Sequence, residues 1–269
     1  RYIAQGTLWK MGEMFQLSVE LYDTKDKKVV WSDRWQEKWD NLPNIKINLS
    51  DGLLKALDTK QKVEKKIDTA NPEAYEFYLK AKHKYDKREN TDDIEIVRRF
   101  LNKAIQLDDN LIIAQTLIGT TYLDSQQLEK ALLFFKSALK ISKKNNDKRG
   151  LADSLYNIGC YHFQIGDNEI ASSNLNDALD IYTELDDKNG IGKVFIMYGS
   201  LYWRKDDLET AVKYDKKSLK LFEELGDLKG VAINLVGIGI YHSDTMNDPK
   251  KALSYYNKAL KILEENRFI

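Results

Sequence analysis

The side chains best equipped for chemistry in this 269-residue chain are three histidines, His83, His162 and His242, and one cysteine, Cys160. His162 and His242 each follow a tyrosine, Tyr161 and Tyr241, and stand 80 residues apart. Neither belongs to a His-x-x-x-His or Glu-x-x-His pair of the kind that grips zinc from one helix face. Cys160 has His162 only two residues on, and on a helix that offset points the imidazole away from the thiol. Gly237-Ile238-Gly239-Ile240 resembles a fragment of a phosphate loop, but it falls within a helical pattern and not between a strand and a helix. Gly199-Ser200-Leu201 lacks the strand-to-helix turn that exposes a nucleophilic serine. No catalytic residue, cofactor site or metal site is assigned, and the expectation is a chain that works by binding.

Composition narrows what it can bind. Lysine plus arginine balances aspartate plus glutamate at 42 each, so no net field draws nucleic acid or an anionic membrane. Charged residues make up 31 % with both signs mixed, as on the outer faces of helices. A single cysteine excludes a disulfide framework and suits a reducing, cytoplasmic compartment. No run approaches the ~18 apolar residues of a membrane span. The chain opens on Arg1-Tyr2-Ile3 and closes on Phe268-Ile269, both read as cut points in a longer protein.

The positioning elements follow from an internal repeat. Gly119, Gly159, Gly199 and Gly239 recur every 40 residues, and so do Asp147-Lys148-Arg149-Gly150, Asp187-Lys188-Asn189-Gly190 and Asp227-Leu228-Lys229-Gly230. Each glycine precedes a pair of small residues: Ala131 and Ala138, Ala171 and Ala178, Ala211 and Ser218, and Ala252 and Ala259, the last pair one residue late. Small residues at such fixed offsets let two helices cross closely. Tyr122, Tyr202, Phe135, Leu175 and Tyr256 are expected to fill the space between repeats.

This spacing resembles the tetratricopeptide repeat, with a period of 40 in place of the usual ~34. The resemblance implies a mainly α fold, an α-solenoid of helix-turn-helix units over 71–269. Residues 71–110 form a degenerate repeat, with Ala81 and Val97 in the glycine and first alanine positions. Better repeats follow at 111–150, 151–190, 191–230 and 231–269, each a shorter helix A and a helix B lengthened by the extra residues. The family binds protein segments in a concave groove lined by helix A. Its groove positions fall here on Asp153, Tyr156, Asn157, Cys160 and Phe163, on Lys193, Ile196, Ser200 and Trp203, and on Ile233, Val236 and Ile240. Asn157 matches the asparagine that bonds a guest backbone, but Met197 and Gly237 break that ladder in the next repeats.

Residues 1–58 read differently. Phe15, Leu17, Val19 and Leu21 alternate with polar neighbours at the period of a strand. Tyr2 to Lys10 and Val29 to Gln36 are rich in β-branched and aromatic residues, and turns at Met11-Gly12-Glu13 and Thr24 to Lys28 complete a three-stranded antiparallel meander. Trp31, Asp33 and Trp35 would share one face of it. Asn44 to Leu57 returns to helical spacing and would cover the sheet, making a small α/β piece, and 59–70 reads as a linker. The stretches Tyr2 to Thr7, Leu17 to Asp23 and Val30 to Trp35 resemble the C-terminal part of a TolB-like amino-terminal domain of bacterial signalling proteins. That order of parts implies a protein-interaction and regulatory module with a protein or peptide partner. The alternatives are an oligomerisation scaffold joining copies of the chain, and the regulatory tail of an adenylate or guanylate cyclase whose catalytic domain lies upstream.

Overall fold

The computed structural model describes residues 2–11, 14–25, 27–38, 49, 71–88 and 90–265. The expected helix at 44–57 and linker at 59–70 lie outside the described residues, apart from the single position 49. The chain divides into two compact units, 1–114 and 115–269.

In the first unit, β1 (Tyr2–Met11), β2 (Met14–Asp23) and β3 (Lys28–Lys38) form an antiparallel sheet in the order β1-β2-β3. Register runs from Met11 opposite Met14 out to Tyr2 opposite Asp23. Phe15, Val19 and Leu21 are buried, which is the alternation expected of a half-buried strand. An irregularity between Leu21 and Tyr22 shifts the β2–β3 register by one residue. Trp31 and Trp35 are near neighbours, with ring centroids 6.2 Å apart.

Two helices complete this unit, α1 (Pro72–Asp86) and α2 (Thr91–Leu107). Asn71 caps α1 by accepting from the amides of Glu73 and Ala74, and Pro72 occupies the first turn, where no donor is needed. Asn71 Nδ2 also donates to the carbonyl of Leu107 at 3.0 Å, tying the start of α1 to the end of α2. Ala81 and Val97 are fully buried.

The remaining helices are α3 (Ile112–Asp124), α4 (Leu128–Lys144), α5 (Lys148–Ile165), α6 (Asn168–Glu184), α7 (Lys188–Arg204), α8 (Leu208–Leu225), α9 (Leu228–Asp244) and α10 (Pro249–Glu265). Odd-numbered helices are the A helices and even-numbered ones the B helices of an α-solenoid. Asp147, Asp187 and Asp227 start α5, α7 and α9 by accepting from the amides of Gly150, Gly190 and Gly230. The recurring Asp-x-x-Gly is therefore a helix start. The signature glycines lie under B-helix side chains: Phe135 covers Gly119, Leu175 covers Gly159 and Tyr256 covers Gly239, and a Cβ on any of the three would collide with its cover. Tyr122 stacks on Phe134 and Tyr202 on Tyr214, at 5.6 and 5.5 Å.

Two details differ from expectation. Helix A is clearly the shorter partner in α3–α4, with 13 residues against 17, and by a single residue in α7–α8, with 17 against 18, but not in α5–α6, with 18 against 17, or in α9–α10, with 17 each. The Asp caps sit so early that the added length is shared between both helices. Ser218, in an alanine position, does more than fill space. Its hydroxyl donates to the carbonyl of Gly192 at 2.9 Å and accepts from Asn234 Nδ2 at 3.1 Å, joining α7, α8 and α9 through a fully buried polar contact.

Candidate functional site

The groove positions from Asp153 to Cys160 on α5 are largely committed to the fold. Asp153 accepts from Tyr182 Oη at 2.7 Å and lies 3.7 Å from Arg149 Nε. Asn157 Nδ2 donates to the carbonyl of Asp153 at 2.7 Å, within its own helix. Tyr156 and Cys160 are half-buried and interact with each other. Burial pushes the Cys160 thiol up to about 12, against a smaller lowering by the Tyr156 hydrogen bond and the charge of Lys193. Burial likewise holds the Tyr156 phenol well above its ordinary value. Lys193 itself is exposed.

The other groove positions converge. Phe163 from α5, Ile196, Ser200 and Trp203 from α7, and Ile233, Val236 and Ile240 from α9 line one cavity of about 380 Å³. Its rim is apolar and open to solvent: Trp203 is 54 % exposed, Ile233 54 % and Val236 39 %. Arg204 closes one end. Its guanidinium lies 3.6 Å from the centre of the Phe163 ring and donates to Asn168 Oδ1 at 3.1 Å and to the carbonyl of Phe163. Ser200 Oγ donates to the carbonyl of Ile196 at 3.2 Å.

The floor of the cavity comes from α8 through Leu208, Ala211, Val212 and Asp215. Asp215 occupies the register of Phe135 and Leu175, the side chains that cover the signature glycines in the preceding repeats. Its carboxylate lies between two glycines: a Cβ on Gly199 would collide with Oδ1, and one on Gly237 with Oδ2. Burial pushes this carboxyl up to about 7. Among the described residues no ion pair reaches it.

A tetratricopeptide repeat family model matches residues 110–184 and 192–265, more than half of the chain. The chain belongs to the tetratricopeptide repeat family. No curated protein matches it. Among solved structures, the repeats are similar to a Rap protein complexed with Competence and Sporulation Factor, at 16 % identity and a TM-score of 0.64, over 81 % of this chain and 60 % of that one. A signal transduction ATPase of Pyrococcus horikoshii with a tetratricopeptide repeat sensor matches at 17 % identity and a TM-score of 0.57, over 85 % of this chain and 34 % of that one. BtubC from P. vanneervenii matches at 18 % identity and 0.51, over 74 % and 93 %. At such identities the likeness is one of fold. No helix among the described residues is long and apolar enough to cross a membrane.

The groove positions expected from the sequence all lie on A helices, because helix A lines the family's groove. Asp215, Leu208 and Val212 from helix B were missed, as were Arg204 and Tyr241. The signal for Asp215 was available. Stepping by 40 from Phe135 and Leu175 lands on an acid where a bulky apolar side chain is due. Gly237, read as a break in the asparagine ladder, is the residue that makes room for that acid.

Proposed function

We propose that the array binds a segment of a partner protein in the groove lined by α5, α7 and α9, and that it serves as the regulatory, partner-sensing module of a larger bacterial signalling protein. The observation that carries this reading is the cavity itself, a hollow with Trp203, Ile233 and Val236 held in solvent around it. Clustered exposed apolar side chains mark contact surfaces, and a tryptophan beside a pocket is a common anchor of binding energy. The similar Rap protein, complexed with a factor, and the ATPase with a repeat sensor support a sensing role for such an array. The wider signalling context, including an upstream cyclase, rests on the TolB-like resemblance of the sheet residues. On this reading the repeats act by binding and not by catalysis, and the single thiol suits a cytoplasmic setting.

A partner found by proximity labelling in cells tests the groove. Trp203→Ala and Ile233→Asp should each weaken its binding to the purified chain about 10-fold or more while leaving the melting temperature nearly unchanged, since both side chains are exposed. Full binding by both variants would rule out this surface. The exposed apolar residues of β1, Ile3, Leu8 and Trp9, favour a second reading, a scaffold that joins copies through the sheet. Sedimentation across a wide concentration range separates the two, because a monomer throughout excludes the scaffold.

A further inference from the structure

We propose that Asp215 sets the specificity of the groove, and that the segment bound there presents a lysine or arginine whose charged end reaches the Asp215 carboxylate. This rests on the groove reading above and adds the chemistry of the occupant.

Three observations lead there. First, Asp215 is a half-buried carboxylate that lines an apolar cavity, and no ion pair among the described residues offsets its partial desolvation. Drawing a carboxylate out of water without a partner costs the fold, and a cation arriving in the cavity would offset that cost. Second, the space it occupies is cleared on two sides by glycine, at Gly199 and at Gly237, so the backbone of both flanking A helices is accommodated to it. Third, Ile196, Trp203, Val236 and Ile240 line the approach from solvent to the carboxylate. An apolar sleeve ending in an acid suits an alkyl stem carrying a cation, with the Trp203 ring adding attraction for that charge.

Charged groups on the elements around Asp215 have partners of their own. Arg204 on α7 is held over Phe163 and bonded to Asn168. Lys213 on α8 pairs with Glu209 at 2.9 Å. Tyr241 on α9 lines the cavity wall. A neutral guest would use the other state, a protonated Asp215 donating to a carbonyl, and would bind better in acid. A cationic guest binds better once Asp215 is ionised, so pH separates the two.

The test is selection of a random-peptide library displayed on phage against the full chain at about pH 8, in parallel with Asp215→Asn and Trp203→Ala. Selected peptides are then labelled and measured by fluorescence anisotropy, a readout that does not depend on Trp203. The expected result is enrichment of lysine or arginine flanked by apolar residues. Affinity should fall about 30-fold or more in Asp215→Asn, fall by a similar factor when methionine replaces the peptide's basic residue, and not fall further when both changes are combined. Enrichment on the wild-type chain is scored without reference to any variant, so a misfolded Asp215→Asn would not shelter the proposal. Peptides that need Trp203 but lack a basic residue, or that bind Asp215→Asn as well as wild type, overturn the proposal and leave the groove reading intact. Stronger binding below about pH 6 overturns it in the same way. A library that yields no binders counts against both.

Discussion

Replacing Asp215 by asparagine is expected to make the fold more stable than wild type as the pH rises. Burial lifts the carboxyl from 3.8 to about 7. An unfolded aspartate ionises near its ordinary value, so between these limits the folded chain keeps a proton that the unfolded chain has lost. Stability of the wild type therefore falls as pH rises through this window, and levels off above about 7. Each pH unit is worth ~1.4 kcal/mol, so the interval sets a ceiling of ~4 kcal/mol. The carboxylate also meets the open cavity, where solvent screens it, and about half of the ceiling, ~2 kcal/mol, is the expected effect. In a chain of this length ~2 kcal/mol moves the melting midpoint by ~4–8 °C. The assay is urea unfolding of wild type and Asp215→Asn at matched pH from about 4 to about 8. Taking the difference cancels every other titrating group, and a fixed cost of burying the carboxamide offsets the curve without tilting it. A difference that stays flat with pH, or moves in favour of the wild type above pH 7, would refute the assignment of Asp215 as an unpaired, half-buried acid.

Gly190→Ala should cost ~1–3 kcal/mol in the same urea assay, because its Cβ would enter the ring of Tyr182, itself fully buried and hydrogen-bonded to Asp153. Asp227→Ala should cost ~1 kcal/mol by leaving the Gly230 amide uncapped, whereas Asp227→Asn should recover most of it. Cys160 should resist a disulfide reagent such as dithionitrobenzoate at about pH 8, reacting ~100-fold more slowly than a free thiol, since burial holds it up to about 12. Urea should restore the ordinary rate, and fast reaction of the folded chain would show that the half-buried thiol is not held in its protonated form.

The fold was legible because its geometry is written in residues with few substitutes. Gly119, Gly159 and Gly239 lie where a Cβ meets Phe135, Leu175 or Tyr256, so helix crossing leaves a strict period in the sequence. The alternation from Phe15 to Leu21 marked a strand because one face is dry. The register shift at Leu21 and Tyr22 was not legible, since no glycine or proline marks it. The lengths of the A helices were not legible, because the period alone does not say that each recurring Asp is the cap that begins the next helix. The groove was half legible. Its walls lie on helix A, where the family places them, but its floor is defined by a departure from the repeat. A reading that looks for what recurs passes over Asp215, which is informative because it does not recur.

The caps have a further consequence. Gly150, Gly190 and Gly230 each bond back to the aspartate three residues earlier, and Lys148 and Lys188 pair with Glu184 and Glu224, each 36 residues on. Each repeat thus meets the next through nearly the same joint, at Gly150-Leu151, Gly190-Ile191 and Gly230-Val231. Such joints are interchangeable seams, at which a whole 40-residue unit could be spliced in or removed with its contacts renewed on both sides. A duplication of 151–190 would lengthen the array and leave Asp215 between Gly199 and Gly237 untouched. The length of the array and the make-up of the Asp215 cavity are therefore separable in this chain, the first set at its seams and the second by a single acid that breaks the pattern.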